Sequence, residues 1–164
     1  MRKIYAKTKN IYLGIGTNLG NRKKSILKSL YLLNKHKIRV IKKSSIYVSP
    51  PWGYINQKAF YNAVVLVKTN KKPKELLKIC QQIEKKMGKR KRFKWGPRII
   101  DIDILTYKNK TKHTKILTIP HKYITQRMFT LVPLAEIDKN IRLNGQTLEY
   151  FINGLNDKIK PVKS

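Results

Sequence analysis

Acidic side chains are scarce in this sequence: eight Asp plus Glu stand among 164 residues against 38 Lys plus Arg, for a formal net charge of +30. Cysteine is scarcer still. Cys80 is the only one, which excludes an intrachain disulfide and the stapled secreted scaffolds. No apolar run approaches the roughly 20 residues of a membrane-spanning helix, and the first residues carry no secretory signal pattern. A Walker lysine motif is missing, and Gly14, Gly16 and Gly20 do not have dinucleotide-fingerprint spacing. These absences lead to the expectation of one cytoplasmic domain over residues 1–164, without a membrane partner and large enough to bury a core unaided.

The excess of base would draw any polyanion, whether RNA, DNA, an acidic lipid surface or a nucleotide phosphate. Charge alone does not choose among them. The lysines are scattered along the whole chain beside much Ile and Asn, so a biased coding background explains them equally well. Against that background the acids are informative, because Asp101 and Asp103 lie within three residues of each other.

Residues 10–17 (NIYLGIGT) read as a strand, with the glycines marking its exit, and NLGN as the turn into a helix. From 22 to 36, Ile26, Leu27, Leu30 and Leu33 recur at helical spacing between lysines. Residues 38–49 alternate as a second strand. PPWGYINQK (50–58) breaks regular structure, and FYNAVVLVKT (60–69) is a third strand. Pro73 suits a first helical turn, Leu76, Cys80, Ile83 and Met87 form a core stripe, and Gly88 supplies the stop. A basic loop, KRKRFK (89–94), precedes a fourth strand at 99–107. The rest is irregular, with a few short helical or extended pieces around Tyr123, Leu134 and Leu148. The order βαββαβ plus a C-terminal extension predicts a ferredoxin-like α/β sandwich, mainly antiparallel, with both helices on one face and the other face free for ligands.

In IIDIDIL, strand periodicity sends Asp101 and Asp103 to one face and Ile100, Ile102 and Ile104 to the core. Cα atoms two strand positions apart are separated by about 6.6–6.8 Å, within reach of one shared Mg²⁺ or a pair of ions, and hard oxygen ligands suit magnesium. A solvated strand face that merely offsets nearby lysines is the alternative. Just upstream, WGPR places a flat Trp95 and an Arg98 able to grip phosphate bidentately after a Gly96-Pro97 turn; core packing also explains Trp95. Phe60 and Asn62 share a strand face, joining a stacking ring to an amide that both donates and accepts. A planar heterocycle would fit there, and a structural Asn bridging backbone groups would look the same. In IPHKYITQRMF, His121 keeps company with Arg127 and Phe129.

Taken together, YLGIGTNLGNR, SSIYVSPPWG, AFYNAVV, WGPRIIDIDIL and IPHKYITQRMF, in this order over residues 11–137, resemble the hydroxymethyldihydropterin pyrophosphokinases of folate biosynthesis. The resemblance implies a ferredoxin-like fold acting on ATP and 6-hydroxymethyl-7,8-dihydropterin, giving the pterin diphosphate and AMP; separately, a monomer is expected. It implies two Mg²⁺ ions that arrive with ATP and sit between Asp101, Asp103 and the phosphates. Phe60 and Phe129 would cover the two faces of the pterin, with Asn62, Ser49, Pro50 and Trp52 around it. Gln81, Trp95, Arg98, Ile104, Thr118, His121 and Arg127 would line the nucleotide site, with Arg98, His121 and Arg127 towards phosphate. The sequence departs from the family pattern at Lys89, where arginine is frequent, and at Lys122, where proline or tyrosine is common; lysine keeps the charge and loses the fork.

Two other readings share these residues. An RNA-recognition module has the same element order, and Tyr12 on IYLGIG would be its stacking residue, but the longer aromatic motif is missing from AFYNAVVLV, so no specific nucleic-acid partner is expected. A Mg-nucleotide phosphotransferase acting on another planar substrate would need the same carboxylates and aromatics.

Overall fold

A computed structural model of the chain describes residues 3–90 and 93–163; Lys91 and Arg92 of the basic loop lie outside the described residues. In chain order the elements are β1 (Ala6–Lys7), β2 (Ile11–Thr17), α1 (Arg22–Lys35), β3 (Arg39–Lys43), β4 (Tyr47–Ser49), β5 (Phe60–Lys68), α2 (Pro73–Lys86), β6 (Asp101–Tyr107), β7 (Lys112–His113) and β8 (Thr118–Ile119). They continue with a 3₁₀ turn at Ile124–Gln126, α3 (Met128–Ile137), β9 (Arg142–Leu143), β10 (Gln146–Thr147), α4 (Leu148–Asn153) and β11 (Lys160–Pro161). The main sheet runs β11-β4-β5-β2-β6, with β3 beside β5, and its neighbours are all antiparallel. This is the ferredoxin-like order, in which the first and third major strands occupy the centre.

Period two sorts every central strand between two cores. Ile11, Leu13 and Ile15 of β2, Ala63, Val65 and Val67 of β5, and Ile102 and Ile104 of β6 pack against Ile26 and Leu33 of α1 and Leu76, Cys80 and Ile83 of α2. Tyr12, Val64 and Leu105 face the other way and meet Leu131 and Leu134 of α3 and Leu148 of α4. Asn21 caps α1 by accepting from the Lys24 amide. Pro73 opens α2, and Gly88 follows it at φ +93°, a left-handed stop that glycine adopts without strain.

The structure departs from the sequence expectation in three places. The strand expected over 38–49 is two strands, because the Ser44 hydroxyl accepts the Val64 amide at 2.9 Å and replaces a ladder carbonyl. The second sheet face is not wholly free. α3, nearly continuous in apolar residues (MFTLVPLAEI), lies across β5 and leaves open only the part of the face at the ends of β2, β5 and β6. Gly14 and Gly16 are interior strand residues rather than a strand exit; they stand on the open face opposite Asp103 and Asp101 of β6. Among the described residues no helix is long and apolar enough to cross a membrane.

Candidate active site

The open part of the sheet face forms the floor of a cavity of about 220 Å³. Its floor is low because of glycine. A Cβ on Gly14 would lie 3.2 Å from the Leu105 side chain, and one on Gly16 would lie 3.0 Å from Asn62 Oδ1. Both positions therefore keep space that any side chain would close. Ser49, Pro50, Trp52, Phe60, Asn62, Trp95, Arg98, Asp101, Asp103, His121, Arg127 and Phe129 all line this one cavity. The chain thus brings together residues spread over some eighty positions of sequence.

Asn62 is buried on β5 and donates to Ser49 Oγ at 2.8 Å. That bond fixes the amide so that Oδ1 faces the floor beside Gly16, available as an acceptor. Phe60, at the start of the same strand, has the Arg98 guanidinium 5.9 Å from its ring centroid. Across the site, the guanidinium of Arg127 sits among Trp52, Tyr123 and Phe129 at 4.7, 5.1 and 5.5 Å from their centroids. Its Nε is buried without a hydrogen-bond partner among the described residues. A buried donor left unpaired costs free energy, and a phosphate oxygen would satisfy it.

The two aspartates stand on one face of β6, as period two requires. Asp101 accepts from both Lys89 and Arg98. Asp103 has Arg127 Nη1 at 3.5 Å and His121 Nε2 at 3.8 Å, and its side chain is 39% exposed. Burial holds the His121 pKa below its ordinary 6.5, against the opposing pull of Asp103. His121 Nδ1 accepts the Tyr123 amide at 3.2 Å, so the neutral ring carries its proton on Nε2, towards Asp103. Among the described residues there is no group of three or more His, Cys, Asp and Glu able to hold a metal. Two carboxylates on one strand face suit Mg²⁺ as part of a coordination sphere whose remaining oxygens come from phosphate and water.

Two loops form the rim, and they touch. Trp52 packs edge-on to Trp95 at 5.3 Å and tilted against Tyr123 at 5.1 Å, while Tyr54 meets Phe93 at 4.8 Å. Gly53 adopts φ +86°, and a Cβ there would lie 2.5 Å from the Trp95 indole. Gln57 donates to the Trp95 carbonyl at 2.7 Å and accepts from buried Asn18 at 2.9 Å, whose own Oδ1 accepts the Arg98 amide at 2.9 Å. Nothing in the residue pattern marked Asn18 and Gln57 as holding the rim; polar residues in turns look alike until long-range contacts are known.

Three of the sequence candidates lie outside the cavity. Gln81 is on the exposed side of α2, Ile104 is buried in the helix-side core at 3% exposure, and Thr118 is on β8. Ile104 alternates away from Asp103, so the periodicity that places the aspartates on the floor turns it to the far side. Tyr12 is fully buried and its hydroxyl donates to Asp138 at 2.7 Å, which removes the stacking surface an RNA-recognition reading needs.

The sequence pattern of the 7,8-dihydro-6-hydroxymethylpterin-pyrophosphokinase family matches residues 12–139. The 2-amino-4-hydroxy-6-hydroxymethyldihydropteridine pyrophosphokinase of Aquifex aeolicus is 44% identical over 131 residues, covering 80% of this chain and 81% of that protein. The chain belongs to this family. The pyrophosphokinase of Bacillus subtilis, under the same name, is 38% identical over 139 residues, with 84% and 83% covered. Among solved structures, HPPK-DHPS in complex with substrates superposes with a TM-score of 0.71 at 19% identity, covering 90% of this chain and 43% of that one. Wild-type Plasmodium falciparum HPPK-DHPS with pteroate gives 0.66 at 20% identity, covering 91% and 42%. At those identities the likeness is one of fold, and the chain spans less than half the length of these solved chains.

Proposed function

We propose that the chain does what its family name describes: it transfers the pyrophosphoryl group of ATP to the hydroxymethyl oxygen of 6-hydroxymethyl-7,8-dihydropterin, giving the pterin diphosphate and AMP in folate biosynthesis. One observation carries the reading. A carboxylate pair, two arginines and the Phe60–Asn62 face converge on a single cavity, which is what a planar substrate and a metal-bound polyphosphate need side by side.

In this reading Asn62 Oδ1 accepts from the pterin edge, Phe60 and Phe129 cover its faces, and Ser49, Pro50 and Trp52 complete the pocket. The attacking hydroxymethyl oxygen forms a bond to the β-phosphorus as the bond from that phosphorus to the α–β bridging oxygen breaks, releasing AMP. Positioning and charge neutralisation supply most of the rate, because phosphoryl transfer asks little covalent chemistry of the protein. Arg98 and Arg127 take phosphate oxygens, with Nε of Arg127, unpartnered among the described residues, as one donor, and neutral His121 offers Nε2–H. Asp101 and Asp103 would hold two Mg²⁺ ions entering with ATP, a group that would supply acidification of the attacking hydroxyl and charge compensation for the departing oxygens. Gln81, Ile104 and Thr118 belong, by family resemblance, to the adenosine end. Gln81 on α2 and Thr118 on β8 belong to elements that flank β6, whereas Ile104 is a residue of β6 whose side chain is buried in the helix-side core, so only its backbone could face a nucleotide there. The rim loops at 50–58 and 88–95 act as lids that exclude water from the transfer. We expect a monomer and assign it to the cytoplasm, where its nucleotide substrate is held.

The test is substitution of the carboxylates. Asp101→Ala and Asp103→Ala are each expected to lose turnover by about 10³-fold or more, on the scale of a lost transition-state charge clamp, with the circular dichroism spectrum unchanged. An active double variant would contradict the assignment.

A further inference from the structure

The two carboxylates of β6 are not equivalent. Both oxygens of Asp101 are engaged, Oδ1 by Lys89 Nζ and Oδ2 by Arg98 Nη1, and its side chain is 19% exposed. Asp103 has only the longer contacts to Arg127 and His121 and twice that exposure. Lys89 is also tethered from behind. Its Nζ lies 2.9 Å from Glu84 Oε2, and Glu84, buried at 8% exposure, uses Oε1 to accept the Ile102 amide at 2.7 Å, between the two aspartates.

We propose that Lys89 and Arg98 form an internal cap on Asp101 that keeps a divalent cation from binding until a polyphosphate draws the two side chains away. The exchange balances in charge: two single positive charges leave the carboxylate and one divalent ion takes their place, while the ammonium and guanidinium move to phosphate oxygens. A cation alone gives Lys89 and Arg98 no new partner, so it would have to leave two charges near a buried Glu84 and one carboxylate short of compensation. Opposite charges at contact distance in a partly desolvated site are costly to separate without replacement. The cap would account, through two residues of this chain, for the arrival of metal with nucleotide that the family resemblance implies. The inference rests on the reading of Asp101 and Asp103 as the metal-holding pair.

The experiment titrates the full chain with Mn²⁺ in the absence of nucleotide and follows free Mn²⁺ by electron paramagnetic resonance. The unmodified chain is expected to bind weakly. Lys89→Met should bind Mn²⁺ about tenfold more tightly or better, Arg98→Met should do likewise, and adding Asp101→Asn to Lys89→Met should remove the gain. Lys86→Met, which deletes the same charge from an exposed position at the end of α2, should leave affinity unchanged. Tight Mn²⁺ binding by the unmodified chain, an equal gain in Lys86→Met, or no gain in either cap variant while both still melt cooperatively would overturn the cap. Failure of the functional reading has a different signature, the absence of AMP formation by the unmodified chain, so the two are separable.

Discussion

Arg127 concentrates the unmet hydrogen-bonding demand of the site, since its guanidinium is walled by three aromatic rings and its Nε has no acceptor among the described residues. Lysine at this position keeps charge but not the fork. Arg127→Lys is therefore expected to weaken Mg-ATP binding by about 10- to 100-fold, the scale of one or two charge-assisted hydrogen bonds, measured by isothermal titration. Gly16 has the opposite role, supplying space. Gly16→Ala drives a Cβ to within 3.0 Å of Asn62 Oδ1, so the pterin KM should rise about tenfold, near 1.4 kcal/mol, with the KM for ATP little changed. An unchanged pterin KM would remove Asn62 from recognition. His121 makes a prediction in pH. Burial depresses its pKa in the folded chain below 6.5, so the neutral ring contributes stability above that value, and the contribution is lost as pH falls through the folded pKa. Its imidazole proton resonance should titrate with a midpoint below 6.5 in the free enzyme, and a midpoint above would mean that Asp103 outweighs burial.

At the scale of elements, β6 shows why part of the site was legible in the sequence. Where α3 leaves one sheet face open, burial of the other imposes alternation, so IIDIDIL could be divided into core isoleucines and floor aspartates from spacing alone. The amphipathic stripes of α1 and α2 were readable for the same reason, one face being buried. α3 was read only as a short helical or extended piece around Leu134, because an all-apolar segment has no periodicity to reveal its type or orientation, and Pro133 inside it argues locally against a helix. The split between β3 and β4 escaped because a serine hydroxyl standing in for a carbonyl leaves no trace in hydropathy. Gly14 and Gly16 looked like turn residues, since the sequence does not reveal that the space above a strand glycine will be left open as a cavity floor. The rim loops carry a testable consequence of their own. Gly53→Ala places a Cβ 2.5 Å from the Trp95 ring at a positive φ, costing about 1–2 kcal/mol locally. It should change the tryptophan fluorescence and raise the pterin KM while moving the melting temperature by only a few degrees.

Over the whole molecule the dominant feature is the charge of +30, and the site uses little of it. Lys89, Arg98 and Arg127 are engaged with the carboxylates of β6, whereas exposed lysines such as Lys23, Lys28 and Lys85 face solvent on the helices. Binding of RNA by such a surface should be nonspecific and fall steeply with salt, while pyrophosphoryl transfer persists near 0.15 M ionic strength, where the Debye length of about 8 Å already screens exposed charges. If the cavity on β2, β5 and β6 directs attack to the β-phosphorus, the nucleotide product reports it directly. With Mg-ATP and 6-hydroxymethyl-7,8-dihydropterin, the chain should release AMP in equal amount to the pterin diphosphate formed; ADP as the nucleotide product, or no turnover by the folded chain, would contradict it.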